Sequence, residues 1–574
     1  MMPPRPSRFR ATRLVATTLL MAGVIGCASS AFRSDDAATA LEELAEETTP
    51  FISRYAHPLG LNSVKVEAIA LVTGLDGTGE DPPPTSQRAA LLDEMNRRNV
   101  DKPNAVLRSP DTALVLLVGI LPPGVQKGDR FDVEVRTPSR SDTTSLRNGW
   151  VLESRMTELA VLGNQIRSGH VRALAEGPIL VDPSADADDD PALSTRGRIL
   201  GGGVALESRN LGLAIATDHQ SVRMATAIEK AINKRFHHYD GGRKEGVAEA
   251  KRAEFVQLKL HPRYKDNISR FVRVVRNLPL NETPTELQER LLLLEKQLLD
   301  PLTSSRAALR LEAIGGEQAV EKLLLGLESD DQEVRFYAAE ALAYLDETSG
   351  VAELARAARD EPAFRVHALA ALSAMDDVVA YDELRSLLTS QSAETRYGAF
   401  RALWAMNKAD PLIRGERLGK GAFSYHAMAV DGEPMIHATR SGRPELVLFG
   451  SDQRLKLPVV LDAGSNILVN GLTGDEVTVS RFTPGKATRK RVVSATVDEV
   501  VRAIVELGGS YPDVVQALQQ AKRDGALAGR FRVDAIPEYG RTYDRDEASE
   551  ETEEDYAEPG YKVATPLPDL FSKK

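Results

Sequence analysis

Cysteine is almost missing from this chain: Cys27 is the single one among 574 residues. An intrachain disulfide, a Cys-rich zinc site and a thiol redox pair are therefore excluded. Positive charge is in deficit, with 72 Lys and Arg against 83 Asp and Glu, a formal net charge of -11. That balance argues against a general nucleic-acid binder, which needs a basic surface to neutralise phosphates. There is no Gly-x-Ser-x-Gly nucleophile elbow. Carboxylate pairs are plentiful, but none is flanked by a second constellation that would supply an acid and a base. With 42% hydrophobic and 27% charged residues, neither wholesale disorder nor a multi-pass membrane protein fits. The length suggests about three to five domains at roughly 100–200 residues each.

The first 27 residues read as an address. Arg5, Arg8, Arg10 and Arg13 form a basic start without an acid, and an apolar run follows from Leu14 to Gly26, broken by Thr17 and Thr18. This run is too short to cross a hydrocarbon core of ~30 Å as a helix, and a basic start with a short apolar stretch is a secretory signal peptide. Its end, Val24-Ile25-Gly26-Cys27, resembles the lipobox of bacterial lipoproteins. The resemblance implies a signal peptide over residues 1–26 and lipid attachment at Cys27, which becomes the new N-terminus. Acyl chains at ~0.8 kcal/mol per buried methylene would anchor it firmly. Ala28 rather than Asp after the cysteine leans toward the outer membrane. A plain secretory signal with an accidental cysteine is the alternative. Losing the four leader arginines takes the charge from -11 to -15.

Beyond the leader the composition changes several times. Residues 27–62 are small, polar and acidic and suit a tether, with one helix near 37–55. Residues 63–280 read as mixed α/β. Strands are expected at Val64–Val72, Ala113–Leu121, Arg130–Val135, Val171–Val181 and Phe255–Leu260, with helices at Ser86–Arg98 and Ser221–Arg235. Asp182–Pro191 and His237–Lys244 read as solvated loops. Residues 285–410 are Leu- and Ala-rich with helical period. Residues 415–540 return to strands, at Met428–Val430, Glu445–Phe449, Val459–Leu461, Ile467–Val469 and Val477–Phe482. They end in a helical hairpin, Val497–Leu507 and Pro512–Arg523. The acidic tail, residues 541–574, is expected to be disordered.

The helical block repeats itself. Val334–Leu342 is answered by Phe364–Leu372 and Thr395–Leu403, with arginines at 335, 365 and 396 and a weaker copy at Arg306. Each Arg is followed by Ala and Leu at spacings that place them on one helical face. The block resembles short HEAT-type repeats, and four copies suffice to bury a continuous core. The arginines either close each repeat by bonding a carbonyl or acid, which is the favoured reading, or line a row for acidic partners.

Several segments of the first body resemble the bacterial flagellar basal-body P-ring protein family, in the family's order. They are Ala70–Gly79 (Ala-Leu-Val-Thr-Gly-Leu-Asp-Gly-Thr-Gly), Thr112–Leu121 with Pro122-Pro123-Gly124, Lys127–Val135, Ser145–Gly149 (Ser-Leu-Arg-Asn-Gly), Ala173–Ile179 (Ala-Leu-Ala-Glu-Gly-Pro-Ile), Gly197–Ile199 and Gly203–Glu207. The resemblance resumes past the repeats at Ser494–Gly508 and from Pro512 to Leu527. It implies a non-enzymatic subunit that self-associates into a ring, meets the flagellar rod and L-ring proteins, and sits in the periplasm at the basal body of the bacterial flagellum. The lipobox and the helical block depart from the usual family pattern.

Other chemistry weighs less. Gly74–Gly79 lacks the Gly-Lys-Ser/Thr ending of a phosphate loop and reads as a strand-ending turn. Gly201-Gly202-Gly203 has the same reading. His237, His238 and Asp240 suggest a metal, but adjacent histidines point apart and the loop is rich in Lys and Arg. No catalytic residue, metal site or cofactor is expected.

The fold class expected is thus α+β and multi-domain. It comprises a mixed α/β P-ring-like core, an inserted α-helical HEAT-like solenoid, and a β-rich C-terminal domain ending in a helical hairpin. The function expected is a structural subunit of the flagellar P ring, a bushing around the rod that supports motility. The alternative is a lipid-anchored envelope scaffold unrelated to motility, with the repeats docking another protein or peptidoglycan.

Overall fold

Thirteen strands build the first body. They are β1 (Ala56–Leu59), β2 (Val64–Thr73), β3 (Thr112–Leu121), β4 (Arg130–Arg136), β5 (Trp150–Leu162), β6 (Gln165–Pro178), β7 (Leu180–Val181), β8 (Arg196–Ala205), β9 (Leu211–Ile215), β10 (His237–Asp240), β11 (Arg243–Gly246), β12 (Ala248–Arg252) and β13 (Phe255–Leu258). In this computed structural model the described residues are 49–162, 165–181, 191–240, 242–419, 423–483, 485–543 and 561–571. The leader with Cys27 and the acidic run 182–190 lie outside them. From Thr49 onward the chain forms one compact unit.

One sheet has the order β4-β3-β2-β5-β6-β8-β7, and β4 also pairs with β8, so it closes into a barrel. Closure follows from alternation. Val66, Ala70, Val72, Val115, Leu117, Val133, Val135 and Met156 point inward and are buried, and Phe131 fills the centre. A Cβ at Gly119 or Gly203 would lie 2.5 Å from the Phe131 ring. Gly203 of the triple-glycine run is thus required by packing rather than by a ligand. Helix α1 (Ser86–Arg97), capped by the Thr85 side chain, supplies Leu91 and Met95 against Leu71 and Leu114.

The second sheet, β1-β9-β13-β12, is antiparallel. It is covered by α2 (Val222–Arg235), whose Ala225, Ile228 and Ile232 are buried, and is followed by α3 (Ile268–Arg276). This sheet shares its hydrophobic core with the helical block rather than with the barrel.

Eight helices make that block: α4 (Pro284–Leu298), α5 (Ser304–Ile314), α6 (Gly316–Leu327), α7 (Gln332–Leu345), α8 (Val351–Asp360), α9 (Arg365–Ser373), α10 (Val378–Leu387) and α11 (Ala393–Met406). Their starts are written in the sequence. Thr283 and Glu286 form a capping box ahead of α4, while Asp331, Asp377 and Ser392 cap α7, α10 and α11. Alanine permits close stacking. Ala338, Ala339, Ala341 and Ala343 of α7 are fully buried, and Phe336 stacks on Phe364 of the next repeat at 4.2 Å.

The C-terminal body holds β14 (Glu416–Leu418), β15 (Phe423–Met428), β16 (Met435–Ala438), β17 (Glu445–Phe449), β18 (Val459–Ala463), β19 (Ile467–Gly471), β20 (Glu476–Arg481) and β21 (Arg489–Ser494). After these come α12 (Val497–Glu506), α13 (Tyr511–Arg523) and β22 (Arg530–Val533). Two sheets form, β14-β15-β17-β16-β22 and β18-β19-β20-β21. Met428, Met435, Val447 and Phe449 of the first join the helical-block core. Alternate residues such as Tyr425, Ile436, Leu446 and Leu448 join the core with α12 and α13.

Four expectations are corrected. The tether was expected to run to residue 62, with a helix near 37–55. Residues 37–48 lie outside the described residues and Ile52–Tyr55 is helical, but Phe51, Ile52 and Ala56 are buried and β1 pairs with β9, so the packed fold begins before residue 62. The loop expected at His237–Lys244 is the pair of strands β10 and β11, which a run of polar residues without apolar alternation does not announce. The strand expected at Met428–Val430 ends at Met428. Of the tail expected to be disordered, residues 544–560 lie outside the described residues, but β23 (Thr542–Tyr543) pairs with β24 (Tyr561–Lys562), and Phe571 is buried in the helical-block core. A few apolar residues spaced along a polar segment suffice to anchor it, and averaged composition conceals them.

Candidate functional site

Three of the segments that resemble the P-ring family, Gly74–Gly79, Ser145–Gly149 and the turn before Ile179, meet at one end of the barrel. After β2 the chain turns at Gly74 and Gly77, both at positive φ, and Leu75 between them is fully buried. Thr78 Oγ1 donates to the Ser145 carbonyl at 2.8 Å, and the Thr144 amide donates to the Thr78 carbonyl at 3.0 Å. The Ile179 amide donates to the Gly149 carbonyl at 2.9 Å. Gly149 has no space for a side chain, since a Cβ would lie 2.7 Å from Val72. Three motifs far apart in sequence thus form one knot of turns. Gly74–Gly79 is a strand-ending turn, as expected.

That knot meets the C-terminal body. Asn148 Nδ2 donates to Asp76 Oδ2 at 3.0 Å and to Ser465 Oγ at 3.1 Å. Ser465 Oγ in turn donates to Asp76 Oδ2 at 2.7 Å. A second joint links the barrel to the C-terminal body. The buried Asp132 accepts from the Gly201 amide at 2.8 Å through one oxygen and from the Gly442 amide at 2.6 Å through the other. Burial pushes its carboxyl up to about 6, while the two amide bonds act in the opposite direction.

The helical block is tied to the first body by a buried ionic cluster. Arg270 on α3 pairs with Glu312 on α5 and Glu340 on α7, each at 2.6 Å, and all three are at most 1% exposed. Tyr264 donates to Glu312 at 2.6 Å, and the Arg270 guanidinium lies 4.4 Å from the Tyr344 ring centre. Burial works against the Arg270 charge, but the two carboxylates hold its pKa above the ordinary value. Burial pushes Glu312 upward, yet a guanidinium at hydrogen-bond distance keeps this pair ionised.

A third cluster joins the block to the C-terminal sheet. Glu445 on β17 is fully buried; it accepts from Tyr397 at 2.9 Å and pairs with Arg443 at 2.6 Å. Burial raises its pKa, but His426 and Arg401 with Tyr397 outweigh this and leave it lowered. His437 stacks on Tyr397 with ring centres 3.6 Å apart, and burial lowers its pKa to about 3.

The repeat arginines close their repeats. Arg335 donates to the Ser329 and Asp330 carbonyls at 2.7 and 2.6 Å, just past α6. Arg365 donates to the Ala358 carbonyl at the end of α8 at 3.0 Å. Arg396 donates to the Leu388 carbonyl at the end of α10 at 2.8 Å. Each covers helix C-terminal carbonyls that have no intrahelical partner. Arg306 also has a partner. Arg365 lines a cleft of about 350 Å³ with Arg530, Arg532, Arg541, Ser392 and Glu394, within which Arg541 grips Glu394 through two bonds of 2.8 and 2.7 Å.

The remaining candidates stay apart. His237, His238 and Asp240 lie along one strand, and burial with the Lys244 and Arg235 charges lowers the His237 pKa. Among the described residues no group of three or more His, Cys, Asp or Glu is placed to hold a metal, and no helix is long and apolar enough to cross a membrane. Sequence reasoning missed Asp132, Arg270, Glu312, Glu340, Glu445 and Ser465. The signal for Glu312 and Glu340 was present: each is an acid inside the buried, alanine-rich phase of its helix.

Residues 54–295 match the family described as Flagellar P-ring protein, and residues 320–404 match HEAT repeats. Flagellar P-ring proteins are among the similar chains. That of Oleidesulfovibrio alaskensis is 26% identical over 38% of this chain and 58% of its own. That of Geobacter metallireducens is 28% identical over 37% and 56%, and that of a Bradyrhizobium species is 26% identical over 48% and 68%. The chain thus spans between about half and two thirds of the length of these relatives. Residues 54–295 are similar to the flagellar P-ring protein family, and a block of HEAT repeats follows them in the same chain.

Proposed function

We propose that this chain is a non-enzymatic, ring-forming subunit of the flagellar basal body, a P-ring-type bushing around the rod in the periplasm that supports motility. The observation that carries this reading is the knot of turns at the barrel end. The family-like segments Gly74–Gly79, Ser145–Gly149 and the Gly177–Ile179 turn are hydrogen-bonded to one another, so they constitute one structural unit rather than scattered similarities. Joints at Asp132–Gly442, Arg270–Glu340 and Tyr397–Glu445 bind barrel, repeats and C-terminal body together, which suits a load-bearing subunit. A ring requires head-to-tail contacts that close by rotation. Lipidation at Cys27 would tether each subunit to the outer membrane.

The HEAT repeats favour a second reading, an envelope scaffold unrelated to motility, because such stacked helices present extended binding surfaces. Deletion of the gene separates the two. Loss of swimming, with the protein recovered in purified hook–basal bodies, supports the ring subunit. Normal swimming, with the protein absent from basal bodies, supports the scaffold.

A further inference from the structure

The cleft of about 350 Å³ opens where the helical block meets the C-terminal sheet, and four arginines line it. On one side is β22, where Arg530 and Arg532 alternate with the buried Phe531 and so share a face of the strand. On the other are the start of α9, with Arg365, and the start of α11, with Ser392, Ala393 and Glu394. Arg541 reaches the same Glu394 from the chain that follows β22.

Carboxylates are too few for these cations. Arg365 and Arg541 share Glu394, at 3.1 and 2.7 Å, and Arg541 lies 3.8 Å from Glu538. Arg530 pairs with Glu433 at 3.1 Å and donates to the Gln391 carbonyl at 2.7 Å. Arg532 is exposed and has no carboxylate partner among the described residues; its side chain bonds the carbonyl of its neighbour Phe531 at 3.2 Å. A fifth cation stands beside Arg530. Arg396 is 1% exposed, and its Nη2 and that of Arg530 are buried with no hydrogen-bond partner among the described residues. Burial and then the Arg530 charge bring the Arg396 pKa down to about 10, and burial lowers that of Arg365 although Glu394 opposes it. Burial and like charge thus disfavour the protonated guanidinium groups here, and an anion in the cleft offsets that cost.

The donors match an oxyanion. A guanidinium fork meets carboxylate or phosphate oxygens at two points. The first-turn amides of α11, at Ala393 and Glu394, have no acceptor within the helix. Five arginines have among them two carboxylates within 3.1 Å, Glu394 and Glu433, so a single negative charge leaves the imbalance standing. We propose that this cleft is a binding site for a doubly charged oxyanion of phosphate or dicarboxylate type, held by Arg532 and Arg530 of β22 and by Arg365 of α9. The ligand touches both walls, so its binding fastens the repeats to the C-terminal body. The site stands on these side chains alone and does not rest on the ring-forming reading.

Calorimetric titration of the full-length chain tests this, with inorganic phosphate in one arm and succinate in the other, at neutral pH and with chloride holding the ionic strength constant. The site predicts saturable one-to-one binding of at least one of the two, and the tighter one identifies the ligand type. Arg532 ties no element to another, so Arg532→Gln keeps the fold; it should weaken binding by about tenfold or more. Arg532→Lys, which keeps the charge, should recover most of that loss. Arg385→Ala, at an exposed arginine of α10 outside the cleft, should bind as wild type does. If neither anion gives saturable binding, or if the Arg532→Gln and wild-type chains bind equally, the site is overturned.

Discussion

Thr565 sits between the two members of an ion pair: its hydroxyl donates to Glu340 and accepts from Arg270, each at 2.9 Å, while Arg270 and Glu340 also meet directly at 2.6 Å. A residue near the C-terminus therefore completes a cluster built by α3, α5 and α7. Thr565→Val keeps the shape and removes both bonds, leaving polar atoms in the cluster less well satisfied. It should cost about 1–3 kcal/mol in urea denaturation, and Thr565→Ser should recover most of that loss. A valine variant as stable as wild type would show that residues 561–571 do not order this cluster.

Arg396 is 1% exposed and covers the Leu388 and Glu433 carbonyls. Its replacement by Ala strands both acceptors and opens a cavity, so a loss of about 3 kcal/mol or more is expected. Arg385, exposed on the preceding helix, should change stability by no more than about 0.5 kcal/mol when replaced by Ala. Equal losses at the two positions would contradict the closing role of the repeat arginines.

His437 and His367 are buried and held neutral, each with its pKa lowered by burial to about 3. His437 faces Glu445 and Arg401; His367 faces Arg270 and the Pro566 carbonyl. Below the unfolded value of about 6.5 the unfolded chain binds protons that the folded chain refuses, so stability falls as pH drops from about 6.5 toward about 3. His437→Phe keeps a ring against Tyr397 and removes one such site. The loss of stability between pH 7 and pH 4, read by urea denaturation, should shrink by about 3 kcal/mol. An unchanged loss would place a proton on His437 in the folded protein.

Asp132 has the opposite sign. Burial raises its carboxyl to about 6, so the folded chain takes up a proton before the unfolded chain does. Its contribution is fully present below about pH 3.9 and is lost as pH rises through about 6. Relative to Asp132→Asn, wild type should therefore gain about 2–3 kcal/mol between pH 7 and pH 4. A stability difference flat with pH would contradict the raised value.

Much of the fold was legible, for stated reasons. The long strands β2, β3 and β4 alternate or run apolar, and the helices of the repeats announce themselves through Arg, Ala and Leu spacing with Asp or Ser caps. The turns at Gly74–Gly79 were legible because glycine alone enters positive φ cheaply. The rest was hidden by its physics. The strands β10 and β11 are polar in sequence, with no apolar alternation to set a period. The C-terminal segment is a strand pair and a few anchors, Thr565, Pro566, Pro568 and Phe571, within a polar tail, and no local pattern says that a distant helix face will receive them. The joints at Asp132–Gly442 and Asp76–Ser465 connect positions more than 300 residues apart, a separation that no window along the chain can span.

The central claim is that this chain is a ring subunit of the flagellar basal body. Electron microscopy of hook–basal bodies purified from wild-type cells and from cells lacking residues 285–410 tests it most directly. The account predicts that wild-type basal bodies carry a ring containing this protein, and that the deletion removes either the peripheral density of that ring or the ring itself. Basal bodies with a complete ring free of this protein, from cells that swim normally without its gene, would contradict it.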